Sequence, residues 1–170
     1  MTIEAYQSYP RRMEPTVIRP ISDDDRRALA AIVERAGNFN AEEVVTAIEL
    51  IDEALRSGNR DYIIHVLEVQ DEPRGFVCFG PTPLANGVFD LYWIAVDPAA
   101  RERGYGKKLM RFAEDEVKRR AGRMMVIETS SLPSYAPSRK LYLRAGYAES
   151  ARLRDFYKPG DDKLIFTKSL

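Results

Sequence analysis

The 170-residue chain is 45% hydrophobic and 31% charged, which is enough apolar material for the core of one domain and excludes disorder as the default. Its 26 basic and 26 acidic residues cancel, so no global field draws it to nucleic acid or an anionic membrane. A single cysteine, Cys78, and a single histidine, His65, exclude an internal disulfide and a His/Cys zinc cluster; no loop has calcium-ligand spacing, so no metal is expected.

The first ten residues lack a basic start followed by an apolar run. No stretch approaches the ~20 apolar residues of a membrane span. A soluble, cytoplasmic protein is the expectation. Pro10, Pro15 and Pro20 mark an extended lead-in over residues 1–15, with a short strand at Thr16 to Arg19. Ser22-Asp23-Asp24-Asp25 reads as a helix start, with Ser22 as N-cap and acids in the first turn. Ala28, Leu29, Ile32 and Val33 form the apolar stripe of that helix, and Gly37-Asn38 stops it. A second helix is predicted from about Glu42 to Arg56, ended by Ser57-Gly58-Asn59.

The period then changes. Tyr62 to Val69 and Gly75 to Phe79 read as an antiparallel hairpin, with its turn at Asp71-Glu72-Pro73-Arg74. His65 and Cys78 lie inside these apolar strands and read as core. Pro81 to Gly87 is a loop, and Val88 to Val96 is the most apolar strand, closed by Asp97-Pro98. Lys107 to Arg120 is an amphipathic helix capped near Gly122. Met124 to Glu128 reads as a buried strand, and Ser138 to Ala145 as a short helix ended by Gly146. Two strands finish the chain, about Ala151 to Tyr157 and Leu164 to Lys168, joined through a Pro159-Gly160 type II turn. This order implies a mixed α/β sheet with helices on its faces.

The strongest local signal is Arg101-Glu102-Arg103-Gly104-Tyr105-Gly106-Lys107, between a strand and a helix. Glycines let backbone approach an anion. The helix start offers unpaired N–H groups and partial positive charge, and the basic side chains add charge-assisted bonds to phosphate oxygens. A dinucleotide loop would carry a third glycine near Leu109. A Walker loop would carry Ser or Thr after its lysine and four residues between its glycines. Neither pattern is present. For Gly-x-Gly alone, a plain turn with solvated arginines is the competing reading.

Asp90-Leu-Tyr-Trp-Ile-Ala-Val-Asp-Pro98 followed by Arg101 to Gly106 resembles the GNAT superfamily of acyl-CoA N-acyltransferases. A second segment, Leu141-Tyr142-Leu-Arg-Ala-Gly146-Tyr147, is similar to that family's Leu-Tyr-x-x-x-Gly-Phe. The resemblance spans residues 16–170 as one domain. It implies a mostly antiparallel sheet splayed between its fourth and fifth strands. It implies acetyl-CoA as acetyl donor, with the pantetheine arm along Ile94, Ala95 and Val96 and the diphosphate on residues 101–107. The family's usual asparagine before the last helix is absent from Ser130 to Pro137; Ser134 or Ser138 stands in its place.

The resemblance further implies Tyr142 as the acid that protonates the leaving thiolate. Asp90, Glu128 and Glu42 are candidate bases, with a water chain as the alternative. Tyr92, Trp93, Tyr135, Phe156 and Tyr157 are candidate walls for the acceptor, a small-molecule amine or a peptide amine. Dimers are common in the family. A non-catalytic acyl-CoA sensor is the alternative function. Cys78 as an acyl-enzyme nucleophile has no histidine near it in sequence.

Overall fold

The computed structural model describes residues 15–170. The expected lead-in, apart from Pro15, lies outside the described residues. Among those residues, seven strands form one sheet in the order β1-β2-β3-β4-β5-β7-β6. The strands are β1 (Thr16–Pro20), β2 (Ile63–Val69), β3 (Glu72–Pro81), β4 (Val88–Val96), β5 (Met124–Ser130), β6 (Ala148–Lys158) and β7 (Asp161–Ser169). The helices are α1 (Arg26–Arg35), α2 (Ala41–Ser57), α3 (Tyr105–Arg119) and α4 (Ala136–Arg144). Only β4 and β5 pair in parallel, because α3 carries the chain back between them.

Alternation along the strands divides the core in two. Ile63 and Leu67 of β2, with Val77 and Phe79 of β3, pack against Leu109, Met110, Ala113 and Val117 of α3. Ile64, Val66, Phe76 and Cys78 point the other way, onto Leu29, Ile32 and Val33 of α1 and Ala47 and Ile51 of α2. Phe76, Phe79 and Leu109 are each below 2% exposed, and each such burial stabilises by about 2 kcal/mol. His65 is core as expected: its ring stacks on Phe79 and approaches Phe112 at 4.7 Å, and burial lowers its pKa.

Several element boundaries differ from the sequence reading, and two of the differences have a clear local cause. The β2–β3 turn is Gln70-Asp71, not Asp71 to Arg74. Both residues are left-handed, at φ 53° and 62°, the signature of a two-residue type I′ turn that matches strand twist. Glu72 and Pro73 already pair with Val69 and Glu68, and Arg74 is an extra residue in the ladder. In α2 the N-cap is Asn40. Its side chain accepts from the Glu43 N–H at 2.9 Å, and its own N–H donates to Glu43 Oε2 at 2.7 Å.

Ser22 caps a short 3-10 turn, Asp23–Asp25, that leads into α1. Asp25 is buried beneath it. It accepts from the Ser22 N–H and hydroxyl and takes a bidentate pair from Arg19 at 2.7 and 2.8 Å. Arg19 also reaches Glu68, so β1, β2 and α1 meet at one guanidinium.

At the opposite edge, β6 is exposed along its whole length. Its ladder to β7 breaks between Leu153 and Lys158. Asp155 adopts φ 51° there, accepts from the Gly160 N–H and donates its own N–H to Asp162. The chain turns at Pro159-Gly160, with Gly160 at φ 81°, as the type II geometry requires.

Candidate active site

The site begins with a defect in β4. Opposite Cys78 and Phe79 stand Trp93 and Leu91, so Tyr92 is an extra, bulged residue. A bulge reverses side-chain parity and bends its strand. Phe89 and Leu91 therefore face α3, whereas Trp93 and Ala95 face α1 and α2, and Ile94 and Val96 return to the α3 side. Pairing between β4 and β5 runs from Val88↔Met124 to Leu91↔Ile127 and stops. Both strands continue, to Val96 and Ser130. From Tyr92 onward β4 thus presents an open backbone edge to a gap.

That gap opens into a cleft of about 1030 Å³. Its walls are the start of α2, the diverging ends of β4 and β5, the segment from Leu132 to Tyr142, and the β6–β7 turn. Tyr142 is 6% exposed, with its ring 5.8 Å from that of Phe166. Burial pushes its phenol up to about 12, and the Ser138 hydroxyl one turn earlier pulls the other way. Tyr135 donates its hydroxyl to Glu43 Oε1, which ties the α2 wall to the β5–α4 wall. Asp161 is 5% exposed and accepts from the Ser130 hydroxyl. Glu128 accepts from Lys163 Nζ at 2.6 Å.

Beyond the open edge of β4 lies the start of α3. Asp97 closes the strand, caps the turn at Pro98–Ala100 through the Ala99 N–H at 3.1 Å, and takes Arg35 at 3.1 Å. Arg101 donates to the Ala36 carbonyl at 2.6 Å, so the loop is moored to the end of α1. Gly104, at φ 78°, is the N-cap and faces open space. No side chain caps the helix start, and no acid occupies its first turn. Gly106 lies close to α4: an added Cβ would sit 3.3 Å from Leu141. Lys107 is exposed and makes no side-chain hydrogen bond or ion pair among the described residues.

Of the residues singled out from sequence, the cleft is lined by Tyr142, Glu128, Glu42, Tyr92, Trp93, Ile94, Ser134, Tyr135, Ser138 and Tyr157. Asp90, Ala95, Val96 and Phe156 are not in its lining. Asp90 lies on the paired part of β4, opposite Val126, and its carboxylate accepts from the Thr82 hydroxyl at 2.8 Å. Burial first, and Glu128 after it, raises the Asp90 pKa. Phe156 instead packs edge-on against Tyr157 at the rim. Sequence reasoning missed Glu43, Asp161 and Phe39. The spacing Asn40-x-x-Glu43 is a capping-box signal that would have found the first. Phe39 reaches Trp93 at 5.4 Å and Tyr135 at 6.3 Å between ring centres.

Residues 28–147 match the profile of the Acetyltransferase (GNAT) family. A crystal structure from Desulfovibrio desulfuricans, of a protein assigned to the GNAT family of acetyltransferases, is 37% identical, with a TM-score of 0.87 over 91% of this chain and 99% of that one. The chain belongs to the GNAT acetyltransferase family. Two more distant GNAT-fold structures share the fold. An acetyl-CoA-bound structure from Salmonella typhimurium is 20% identical, with a TM-score of 0.70 over 91% of this chain and 94% of that one. A ribosomal-protein-alanine N-acetyltransferase from Brucella melitensis is 22% identical, with a TM-score of 0.72 over 91% and 99%. The sequence matches none of the curated proteins compared with it.

Within this GNAT chain, Cys78 has the properties of a core residue. It is 0% exposed, and burial raises its thiol above the ordinary range. A thiolate nucleophile needs the opposite environment. An aromatic disulfide reagent is expected to leave the native protein unlabelled over minutes and to titrate the single thiol after denaturation. Rapid labelling of the folded chain would restore Cys78 as a candidate nucleophile.

Proposed function

We propose that this enzyme transfers an acetyl group from acetyl-CoA to a primary amine by direct attack within a ternary complex. The observation that carries the reading is the end of β4–β5 pairing at Leu91↔Ile127, with Tyr142 in the cleft so formed. An open strand edge accepts an extended amide-bearing chain as an added strand. Ile94, Ala95 and Val96 would hold the pantetheine arm by their backbone groups. Gly104, Tyr105, Gly106 and Lys107 would hold the diphosphate at an uncapped helix start, with Arg101, Glu102 and Arg103 flanking it. Ser138 would take the place of the family's asparagine.

The acceptor nitrogen attacks the thioester carbonyl carbon; a C–N bond forms and the C–S bond breaks. Backbone N–H groups on the open edge of β4 would stabilise the oxyanion. Tyr142 gives its phenolic proton to the departing sulfur and is later reprotonated from solvent. The proton lost by nitrogen goes to Glu128, directly or through water. Glu128 is favoured over Asp90 because it lies one residue past the last β4–β5 pair and lines the cleft, whereas Asp90 lies before the separation and outside the lining.

Calorimetric titration with acetyl-CoA, followed by free-thiol release across a panel of amines, tests the proposal. Saturable binding and amine-dependent release are expected. Binding without release from any amine would favour an acyl-CoA sensor, and no binding at millimolar acetyl-CoA would remove both readings.

A further inference from the structure

Resting on the acetyl-transfer reading, we infer that the acceptor is a small dication, carrying a second cationic nitrogen besides the amine that is acetylated. The chain as a whole is electrically balanced, but its cleft is not. Glu42, Glu43, Glu128 and Asp161 line it, and among the described residues Lys158 is the sole basic residue in its lining. Glu128 is paired with Lys163. The other three carboxylates have no ion pair among the described residues: Glu43 and Asp161 accept only from neutral groups on Asn40, Tyr135 and Ser130. Asp161 is buried and Glu43 half-buried; a sheltered carboxylate without a cation is costly, and the cost falls when a cationic ligand arrives.

The walls also carry aromatic side chains, those of Phe39, Tyr92, Trp93, Tyr135 and Tyr157. Aromatic faces attract cations. The chain already shows this chemistry at the rim of the cleft. Lys163 Nζ lies 4.1 Å from the Phe156 ring centre and 5.9 Å from that of Tyr157, while bonded to Glu128. Burial first, and then the charges of Glu128, Asp161 and Glu43, raise the Tyr157 pKa.

A divalent metal is a poor match for these acids. Among the described residues, no three His, Cys, Asp or Glu side chains converge as an ion would need. Size points the same way. The hydrogen bond from Tyr135 to Glu43 links two walls of a cleft that must also admit the end of the pantetheine arm. A compact molecule fits that space better than an extended peptide. A monoamine would leave the spare carboxylates unpaired, and an amino acid would place its carboxylate among like charges.

Three probes on the same five-carbon skeleton decide the matter: 1,5-diaminopentane, 1-aminopentane and 5-aminopentanoate, each with a terminal amine. The expected kcat/KM is about 10- to 100-fold higher for diaminopentane than for aminopentane, and lowest for aminopentanoate. The ratio should shrink as ionic strength rises. It should also shrink in Asp161→Asn and, without disturbing the core, in the exposed Glu42→Gln. Equal kcat/KM for diamine and monoamine, or a preference for aminopentanoate, would overturn the inference. If none of the three turns over, calorimetric binding to the CoA-loaded protein decides by the same order. Failure of the acetyl-transfer reading shows itself separately, as absence of acetyl-CoA binding.

Discussion

Replacing Tyr142 with phenylalanine is expected to lower kcat by about 100-fold, the scale of one positioned acid, while the KM for acetyl-CoA stays near its wild-type value. Phenylalanine keeps the ring and its contact with Phe166, so stability should barely change. Only the hydroxyl is lost. The form required is the protonated phenol, and burial pushes that group up to about 12. It therefore keeps its proton throughout the neutral range, and no alkaline limb from Tyr142 should appear until strongly basic pH. The acid limb of the profile belongs instead to the acceptor, which must lose a proton before it can attack. Steady-state kinetics of wild type and variant across that range provide the check. Equal kcat in both would remove Tyr142 from the mechanism, and a large rise in acetyl-CoA KM would make it a binding residue.

Asp25→Ala is expected to cost about 2 kcal/mol of folding stability, because it strips a buried carboxylate from Arg19 and from Ser22. The figure is held below the value for a fully buried pair because Arg19 is 31% exposed. At about 2–4 °C per kcal/mol for a domain of this size, Tm should fall by roughly 4–8 °C. Burial alone would raise the carboxyl of Asp25, but hydrogen bonds from Arg19 and Ser22 outweigh it and lower its pKa. A depressed carboxylate stabilises the fold at pH above its unfolded pKa, near ~3.9. That stabilisation is lost as pH falls through the lower, folded value. The gap in Tm between wild type and variant should thus be constant above about pH 5 and close in more acidic solution. A gap that does not change with pH would show that the loss is one of packing rather than charge.

The element order and the position of the phosphate-type loop were legible because both are written in local patterns. Period three and a half gives way to period two at Tyr62, and glycines stand where a strand must give way to a helix. The hairpin turn at Gln70-Asp71 was harder to place. Pro73 draws a turn toward itself in sequence, yet Pro73 pairs in the ladder and the left-handed positions lie before it. The acceptor side of the site was the least legible. Glu43 serves locally to close the capping box of α2, and Asp161 to open β7 opposite Lys158. What brings them to one cleft is a hydrogen bond between residues 92 apart in Glu43 and Tyr135, and another 31 apart in Ser130 and Asp161. No window along the chain contains such information. The bulge at Tyr92 is similar: its position follows only from the register of pairing with β3.

The irregular middle of β6 has a consequence for how the protein behaves among its own copies. An exposed edge strand is a row of unsatisfied donors and acceptors, on which a further strand can grow. β6 carries Leu153, Phe156 and Tyr157 at 45% to 51% exposure, which gives such growth an apolar incentive. The break between Leu153 and Lys158, with Asp155 in a left-handed turn, interrupts the flat ladder that templated growth requires. Arg152, Arg154 and Lys158 place charge along the same edge. Straightening that segment would favour open-ended stacking into fibrils, and the kink is thus a safeguard of solubility at high concentration.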